Sequence, residues 1–433
     1  MKRYISLGFF LLVSICSSIA QQTQEDTLRL TTKEAEALFL NNNLDLVAQK
    51  LSIRQSEAMI IQAKLWPNPE FSVEELNLWA TKGQLSSGES LPPIAGNFGK
   101  NRQIAAALEQ LIETGGKRKK RIALESLSRD MALEYFTELI RNLKTDLRNN
   151  LTALSYHQSY AQILDIQNAA LEKLVASYER QYATGDLKKP DLFRLKALKL
   201  ELGQQIIETK KEITGIQKEL VVLLNIPAAT YIQADATLPV QDLEKLQSLS
   251  FSQLVETALS QRPDAKISEL EKTFASKQHD LELANRKPDL TLGVNYDRGG
   301  NFLRNFIGFG ISMPLPVFNR NQGAIQESKI GIEKAQVIAN QKTKGIESEV
   351  AEAFRNLRTD LGAYQSIEAG YSEDLDDVFN NYTRYFLERR INMVEYLDFF
   401  DAYLANKRTI LTTRRQLAES RENLNYAVGT DIQ

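Results

Sequence analysis

Slid along itself, this sequence falls into register twice, so the fold must be assembled from one unit used two times. At an offset of about 219 residues, Leu30–Val73 lies on Leu249–Leu292 without a gap. Leu30, Leu40, Asp45, Leu51 and Pro69 then meet Leu249, Leu259, Asp264, Leu270 and Pro288. At an offset of about 204, Gly115–Asn225 lies on Asn319–Gly429, and Tyr178, Arg180 and Leu220 meet Tyr382, Arg384 and Leu424. The polar loop Thr81–Lys100 of the first copy absorbs the difference of about 15 residues. The resulting parts are a first repeat over 21–225, an inter-repeat segment over 226–249, a second repeat over 250–429 and a tail over 430–433.

Each copy reads helix, two strands, long helix, helix. In copy one the helical spacing runs from Thr32 to Leu65, opened by Thr31-Thr32 with Glu34 and Glu36 in the first turn. It stops at Trp66-Pro67-Asn68-Pro69, and the matching helix Ser252–Arg286 stops at Pro288. Proline cannot continue a helix and pushes the residue before it to extended geometry, so both stops mark a helix-to-strand switch. From Gly116 to Thr184 there is no further Pro or Gly, which predicts a helix of roughly 68 residues and about 100 Å. Copy two is expected to match it with Gly323–Leu387. Leu195, Leu198, Leu202, Ile206, Ile213, Ile216, Leu220 and Leu224 step by threes and fours, the spacing of coiled-coil packing.

The strands are clearest in copy two. Leu290, Leu292, Val294 and Tyr296 alternate with Thr291, Gly293, Asn295 and Asp297, and Ile307, Phe309, Ile311 and Met313 alternate with Gly308, Gly310 and Ser312. A turn falls at Arg298–Asn301. This is the pattern of a membrane hairpin with lipid on one side and water on the other; a half-buried soluble hairpin alternates in the same way. In copy one the strands Glu70–Leu78 and Arg102–Ile112 are less regular, because Glu74-Glu75 breaks the phase. Four strands cannot close a barrel, and open edges in lipid leave backbone groups unsatisfied, so closure in a membrane requires other chains.

Residues 1–20 combine Lys2 and Arg3, the apolar run Ile5–Ile15 and Ser18-Ile19-Ala20, a secretory signal with cleavage expected after Ala20. The sole cysteine, Cys16, lies inside it, preceded by Ile15 where a lipidated cysteine wants a small neighbour. The mature chain is thus without disulfides or thiolate metal sites. With about 51 basic and 55 acidic residues left it has no basic footprint for nucleic acid. No later stretch is apolar over the roughly 18 residues a membrane helix needs.

Seven stretches carry a family resemblance: LTTKEAEALFLNNNLDLVAQ, WPNPEFSVE, IETGGKRKKRI, YERQYATGDLKKPDLFRLKA, FSQLVETALSQRPDA, MPLPVFNRNQGAI and YFLERRINMVEYLDFFDAY. In this order, and doubled, they resemble the TolC-like outer-membrane efflux family, in particular its cation-efflux (CusC/CzcC-like) branch. The resemblance implies a mainly α protein with a transmembrane β part: a long α-helical periplasmic barrel, and four strands per protomer contributing to a 12-stranded barrel in a homotrimer. It also implies an equatorial belt, here from 226–249 and the C-terminal tail. The implied partners are a periplasmic adaptor (membrane fusion protein), an inner-membrane transporter of RND type and outer-membrane lipid. The implied role is a passive duct for heavy-metal cations. Ducts for drugs or for a type I protein secretion system share the pattern, and the long helices alone also fit a soluble periplasmic coiled-coil adaptor or scaffold.

By the same resemblance the adaptor meets the helix-hairpin tips. Copy one offers Tyr182, Gly185, Asp186 and Leu187; copy two offers Phe386, Arg389, Arg390 and Ile391, with Arg389 where the family pattern has glycine. The family's pore constriction falls on Glu395 and Asp398, which share a helix face, with Asp191 and Arg194 opposite in copy one as salt-bridge partners. Acidic residues at a helix start also simply favour its dipole. Glu373, Asp374, Asp376 and Asp377 read as a solvated face, and Tyr178, Tyr182, Tyr382 and Phe386 as helix-packing residues. His157 and His279 stand alone and read as surface residues, since zinc needs three or four ligands. Gly115-Gly116-Lys117 lacks the other elements of a phosphate loop and reads as a strand-to-helix bend. With no thiol, histidine triad or metal cluster, no enzyme, cofactor or bound metal is expected.

Overall fold

The computed structural model describes residues 27–77, 103–185, 187–235, 243–299 and 303–432. The segment read as a secretory signal, with Cys16, the loop Thr81–Lys100, Asp186, the middle of the inter-repeat segment and the tip of the copy-two hairpin lie outside these residues. The elements run β1 (Thr27–Leu30), α1 (Thr32–Asn42), α2 (Leu44–Lys64), β2 (Glu70–Asn77), β3 (Gln103–Ile112), α3 (Lys117–Ala183), α4 (Lys189–Leu224), β4 (Tyr231–Ala234), α5 (Leu243–Ser248), α6 (Phe251–Gln261), α7 (Pro263–Asn285), β5 (Leu290–Gly299), β6 (Leu303–Ser312), α8 (Gln322–Gln365), α9 (Tyr371–Leu387) and α10 (Met393–Val428). No helix among the described residues is long and apolar enough to cross a membrane. The chain divides into two compact units. One holds Met1–Val47, Leu139–Ala258 and Glu347–Gln433; the other holds Ala48–Glu138 and Leu259–Ile346.

Three expected helices are interrupted. The helix read as Thr32–Leu65 breaks at Asn43, whose buried side chain accepts from Leu46 N (3.0 Å) and donates to Leu223 O (2.9 Å). Its duplicate breaks one repeat later at Arg262, before Pro263. There the Arg262 guanidinium, 2% exposed, donates to both oxygens of Asp264 at 2.9 and 2.7 Å. One kink is thus held by two unrelated side-chain chemistries. The long helix expected over Gly323–Leu387 ends at Gln365 and restarts after Gly370, which caps α9 at φ 82°. Ile166 occupies that position in copy one, and α3 runs unbroken for 67 residues.

In the first unit, α4 buries Leu192, Leu195, Leu198, Leu202, Ile213, Leu220 and Leu224, so the apolar stripe read from sequence is the packed face. The inter-repeat segment adds β4, parallel to β1 in the register Leu28↔Ile232. Gln217 takes the place of a further strand: Ile232 N donates to its Oε1 (2.9 Å), and its Nε2 donates to Ile232 O (2.6 Å). Thr31 starts α1 as a capping box with Glu34.

The tail is tied down by charge. Arg148 donates to Glu36 (2.6 Å), Glu422 (2.7 Å) and Asp431 (2.6 Å), and Lys144 also reaches Asp431 (3.0 Å). The Arg148 hydrogen bond, reinforced by Lys144 against the opposing effect of burial, holds the Asp431 carboxyl down to about 2. A depressed carboxylate contributes stability above its ordinary value of 3.8, and that contribution is lost as pH falls towards 2. Asp431→Asn is therefore expected to lower Tm at neutral pH and to flatten the wild-type loss of Tm between about pH 4 and 2. Parallel melts of the two proteins at several pH values check this; identical pH dependence contradicts it.

Candidate functional site

The strands of the second unit form a single antiparallel sheet in the order β2-β3-β5-β6, joining the two copies' hairpins edge to edge. Register sorts the side chains into rows that cross all four strands. Phe71, Leu108, Val294 and Phe309 form one row, and Val73, Ala106, Tyr296 and Ile307 the next. On the other face stand Ser72, Ala107, Asn295 and Gly308, then Glu70, Glu109, Gly293 and Gly310. The apolar face is bare: Phe309 is 84% exposed, Ile311 75% and Phe71 68%. Covering such a side chain is worth about 1.5–3 kcal/mol each, so the bare face marks a surface that another medium or partner covers. The copy-one phase break at Glu74-Glu75 coincides with a shift of register between Glu74 and Asn77, so the irregularity is a bulge in the β2–β3 ladder. Among the described residues β2 and β6 carry only one neighbour each, leaving two open edges.

The hairpin tips belong to the first unit. The turn between α3 and α4 passes through Gly185 (φ 83°), and the turn between α9 and α10 through Arg389 (φ 57°). The missing glycine therefore does not change the backbone. Gly185 N donates to Tyr182 O, and Arg389 N makes the matching bond to Phe386 O (3.0 Å), with Arg390 N to Tyr385 O (2.8 Å) completing a Schellman closure. Left-handed geometry costs a residue with a Cβ about 1–2 kcal/mol. Arg389 offsets this with its own side chain, whose Nη2 donates to Gln181 Oε1 (3.1 Å) and ties the two tips together. Nothing lies within 4 Å of a Cβ added at Gly185, so Gly185→Val is expected to cost about 1–2 kcal/mol from backbone strain alone. A thermal melt measures that loss, and an unchanged Tm would show that the turn relaxes.

Of its two readings, tip contact and helix-packing residue, Phe386 takes the second. It is 4% exposed and stacked on Tyr396 (4.3 Å) and Tyr178 (5.8 Å), inside a core that includes Leu174, Leu195, Phe379 and Phe400. It anchors the tip and is not available to a partner. Ile391 packs partly against the same core, and Leu187 is half-buried. Tyr182, Arg389 and Arg390 are exposed, with Arg390 paired to Glu388 at 2.8 Å. Tyr178 and Tyr382, the latter stacked on Phe399 at 4.3 Å, are packing residues as read. Burial, then Asp191, raises the Tyr178 hydroxyl pKa, with Arg389 opposing.

Asp191 sits in the first turn of α4, and Arg194 lies 4.0 Å from it on the same helix. Glu395 is the third residue of α10: Asn392 N donates to its Oε2 (3.0 Å) while Glu395 N donates to Asn392 Oδ1 (3.0 Å). Its carboxylate thus caps a helix, a role legible in the spacing Asn-x-x-Glu. Asp398 is exposed one turn further on. The sequence reading missed Asp401 and Glu201. Burial, then Glu201 and Asp398, raises the Asp401 carboxyl pKa, so α4 and α10 share an acidic strip below the tip. The three-residue spacing of Glu395, Asp398 and Asp401 was the available signal.

Asp376 is likewise more than a solvated residue. It accepts from Tyr403 (2.8 Å) and from Lys407 (2.7 Å), whose side chain is buried, while Glu373, Asp374 and Asp377 face solvent. His157 and His279 are half-buried, not surface residues: His157 packs edge-on against Tyr156, and His279 lies 3.0 Å from the buried Ser328 hydroxyl. Among the described residues no three His, Cys, Asp or Glu side chains converge as a metal site. Gly115-Gly116-Lys117 forms the bend from β3 into α3, and the Lys117 ammonium is committed to Asp289 (2.8 Å).

No family model matches the sequence. The cobalt-zinc-cadmium resistance protein CzcC of Cupriavidus metallidurans is 22% identical over 389 residues, covering 89% of this chain and 85% of CzcC. Solved structures decide the fold. The crystal structure of CusC superposes with a TM-score of 0.70 at 18% identity over 92% of both chains. The Campylobacter jejuni CmeC outer membrane channel gives 0.74 at 15% identity, over 92% of this chain and 85% of CmeC. This chain has the TolC-like outer-membrane channel fold. The four-stranded sheet and the paired helical tips are each built from the two copies together.

Proposed function

We propose that this chain is a passive exit duct in the outer membrane, the last component of a tripartite efflux pump. Three copies pool four strands each into a twelve-stranded barrel, β6 of one pairing with β2 of the next, which leaves no edge unsatisfied in lipid. The observation that carries this reading is the sheet itself, with aromatic and aliphatic residues dominating the rows on one face and Gly, Ser, Asn, Ala and Glu those on the other. Lipid covers the first face and water fills the second. A soluble adaptor or scaffold would leave the first face bare. Chemistry is not part of the role; a periplasmic adaptor engages the exposed tip residues Tyr182, Gly185, Arg389 and Arg390 together with the half-buried Leu187, with Asp186 beside them in sequence, and an RND-type inner-membrane transporter supplies the energy. Heavy-metal cations are the proposed cargo, supported by the similarity to CzcC along most of both chains. Ducts for drugs or secreted proteins share the same wall.

Asp191, Arg194, Glu395 and Asp398 are proposed as the constriction. Repeated by three-fold symmetry, the carboxylates form a field that attracts cations. Reconstituted in planar bilayers, the protein is expected to conduct and to be blocked by divalent cations. Glu395→Gln with Asp398→Asn should raise conductance or relieve block. A protein that inserts without conducting removes the duct reading, and a conducting pore indifferent to the double substitution removes the gate assignment alone.

A further inference from the structure

The duplication turns a contact seen within the chain into one expected between chains. β3 and β5 are neighbours, and the segment leaving β3 rests on the segment entering β5. Thr114 N donates to Asp289 Oδ1 and Lys117 Nζ to Lys287 O, both at 2.8 Å. Gly115 backs onto the same segment so closely that an added Cβ would lie 3.2 Å from Ala284 O and 3.5 Å from Lys287 Cβ. In the repeat, the segment leaving β6 stands for the first of these and the segment entering β2 for the second. Thr114 is replaced by Phe318, Gly115 by Asn319, Ala284 by Leu65 and Lys287 by Asn68. Within one copy these two segments cannot meet, because β2 and β6 are opposite edges of the sheet, about 14 Å apart at three strand spacings.

Apolar side chains of both segments are bare, although Pro67 O accepts from Gln110 (2.9 Å) and Arg118 lies over the Trp66 ring (3.9 Å). Phe318 is 92% exposed and Leu65 54%. Leu65 also borders a hollow of about 350 Å³ with Met59, Trp66 and Pro67 in its wall. Where the internal contact uses Thr and Ala, its counterpart uses Phe and Leu, the change expected of a contact that must hold separate chains together. We infer that the segment leaving β6, centred on Phe318 and Asn319, docks on Leu65–Asn68 of a second copy of this chain. This rests on the pooled-barrel reading and adds a clasp beyond strand pairing. Antiparallel alternation brings the end of one copy's β6 beside the start of the next copy's β2, so the polarity is correct.

The spacing at the internal contact lies within the Cβ separation a disulfide requires. Full-length protein carrying Asn68→Cys and Asn319→Cys, oxidised in membranes, is therefore expected to form covalent oligomers on non-reducing gels, with neither single substitution doing so. Glu75→Cys with Ser312→Cys, the repeat counterpart of the pair Leu108↔Val294, reports the strand edges independently. Linking at the edges with none at 68 and 319 overturns the clasp and leaves the pooled barrel standing. Linking at neither pair, in protein that is folded and inserted, overturns both.

Discussion

Asp264→Ala is expected to be the most damaging single substitution in the second unit, at about 3–5 kcal/mol. The side chain of Arg262 is 2% exposed and that of Asp264 7%, and the pair closes the kink between α6 and α7. Lys342 adds a further contact to Asp264 at 3.3 Å. Removing the carboxylate deprives the buried guanidinium of its bidentate partner, so part of its desolvation is no longer compensated. Replacing both partners with apolar residues of similar volume, Arg262→Met with Asp264→Leu, should recover most of the loss, since the pair itself is close to neutral against such a core. Thermal melts of the two variants make the comparison. An Asp264→Ala protein that melts with the wild type, or a double variant as unstable as the single one, contradicts this account of the kink.

The two faces of the sheet should respond oppositely to charge. Val294→Arg places a cation in the row Phe71, Leu108, Val294, Phe309, where lipid is expected. At the bilayer midplane this costs about 2–4 kcal/mol per chain, and each barrel would carry it three times. Asn295→Arg, the next residue, points to the watery face and should leave insertion intact while reducing conductance to cations by repulsion. Measured as the fraction recovered in outer membranes, Val294→Arg should be depleted several-fold and Asn295→Arg should not. Equal recovery of the two would mean that the faces have been assigned to the wrong media.

Much of this was legible because proline and period are local signals. Pro69 and Pro288 mark the helix-to-strand switches, and the alternation from Leu290 to Met313 reads directly as a hairpin. Copy one was obscured by its bulge, where two residues share one partner position and the period of two slips. The kinks at Asn43 and Arg262 were invisible since each depends on tertiary partners, Leu223 O for the one and burial of an ion pair for the other. Gly370 could have been read as a helix stop but was passed over. At the tips the packing reading holds for Phe386, which is buried because α10 supplies Tyr396 as a stacking partner, and fails for Tyr182, which is exposed. The left-handed geometry of Arg389 follows from helix closure and Gln181, which no glycine rule anticipates.

A single-particle reconstruction of the purified protein in lipid nanodiscs tests the central claim most directly. Three copies around one axis, with β6 of each hydrogen-bonded to β2 of its neighbour and the row through Val294 and Phe309 against lipid, is the predicted result. A lone copy, or a particle whose four-stranded sheet is folded into a compact body surrounded by water, would contradict it.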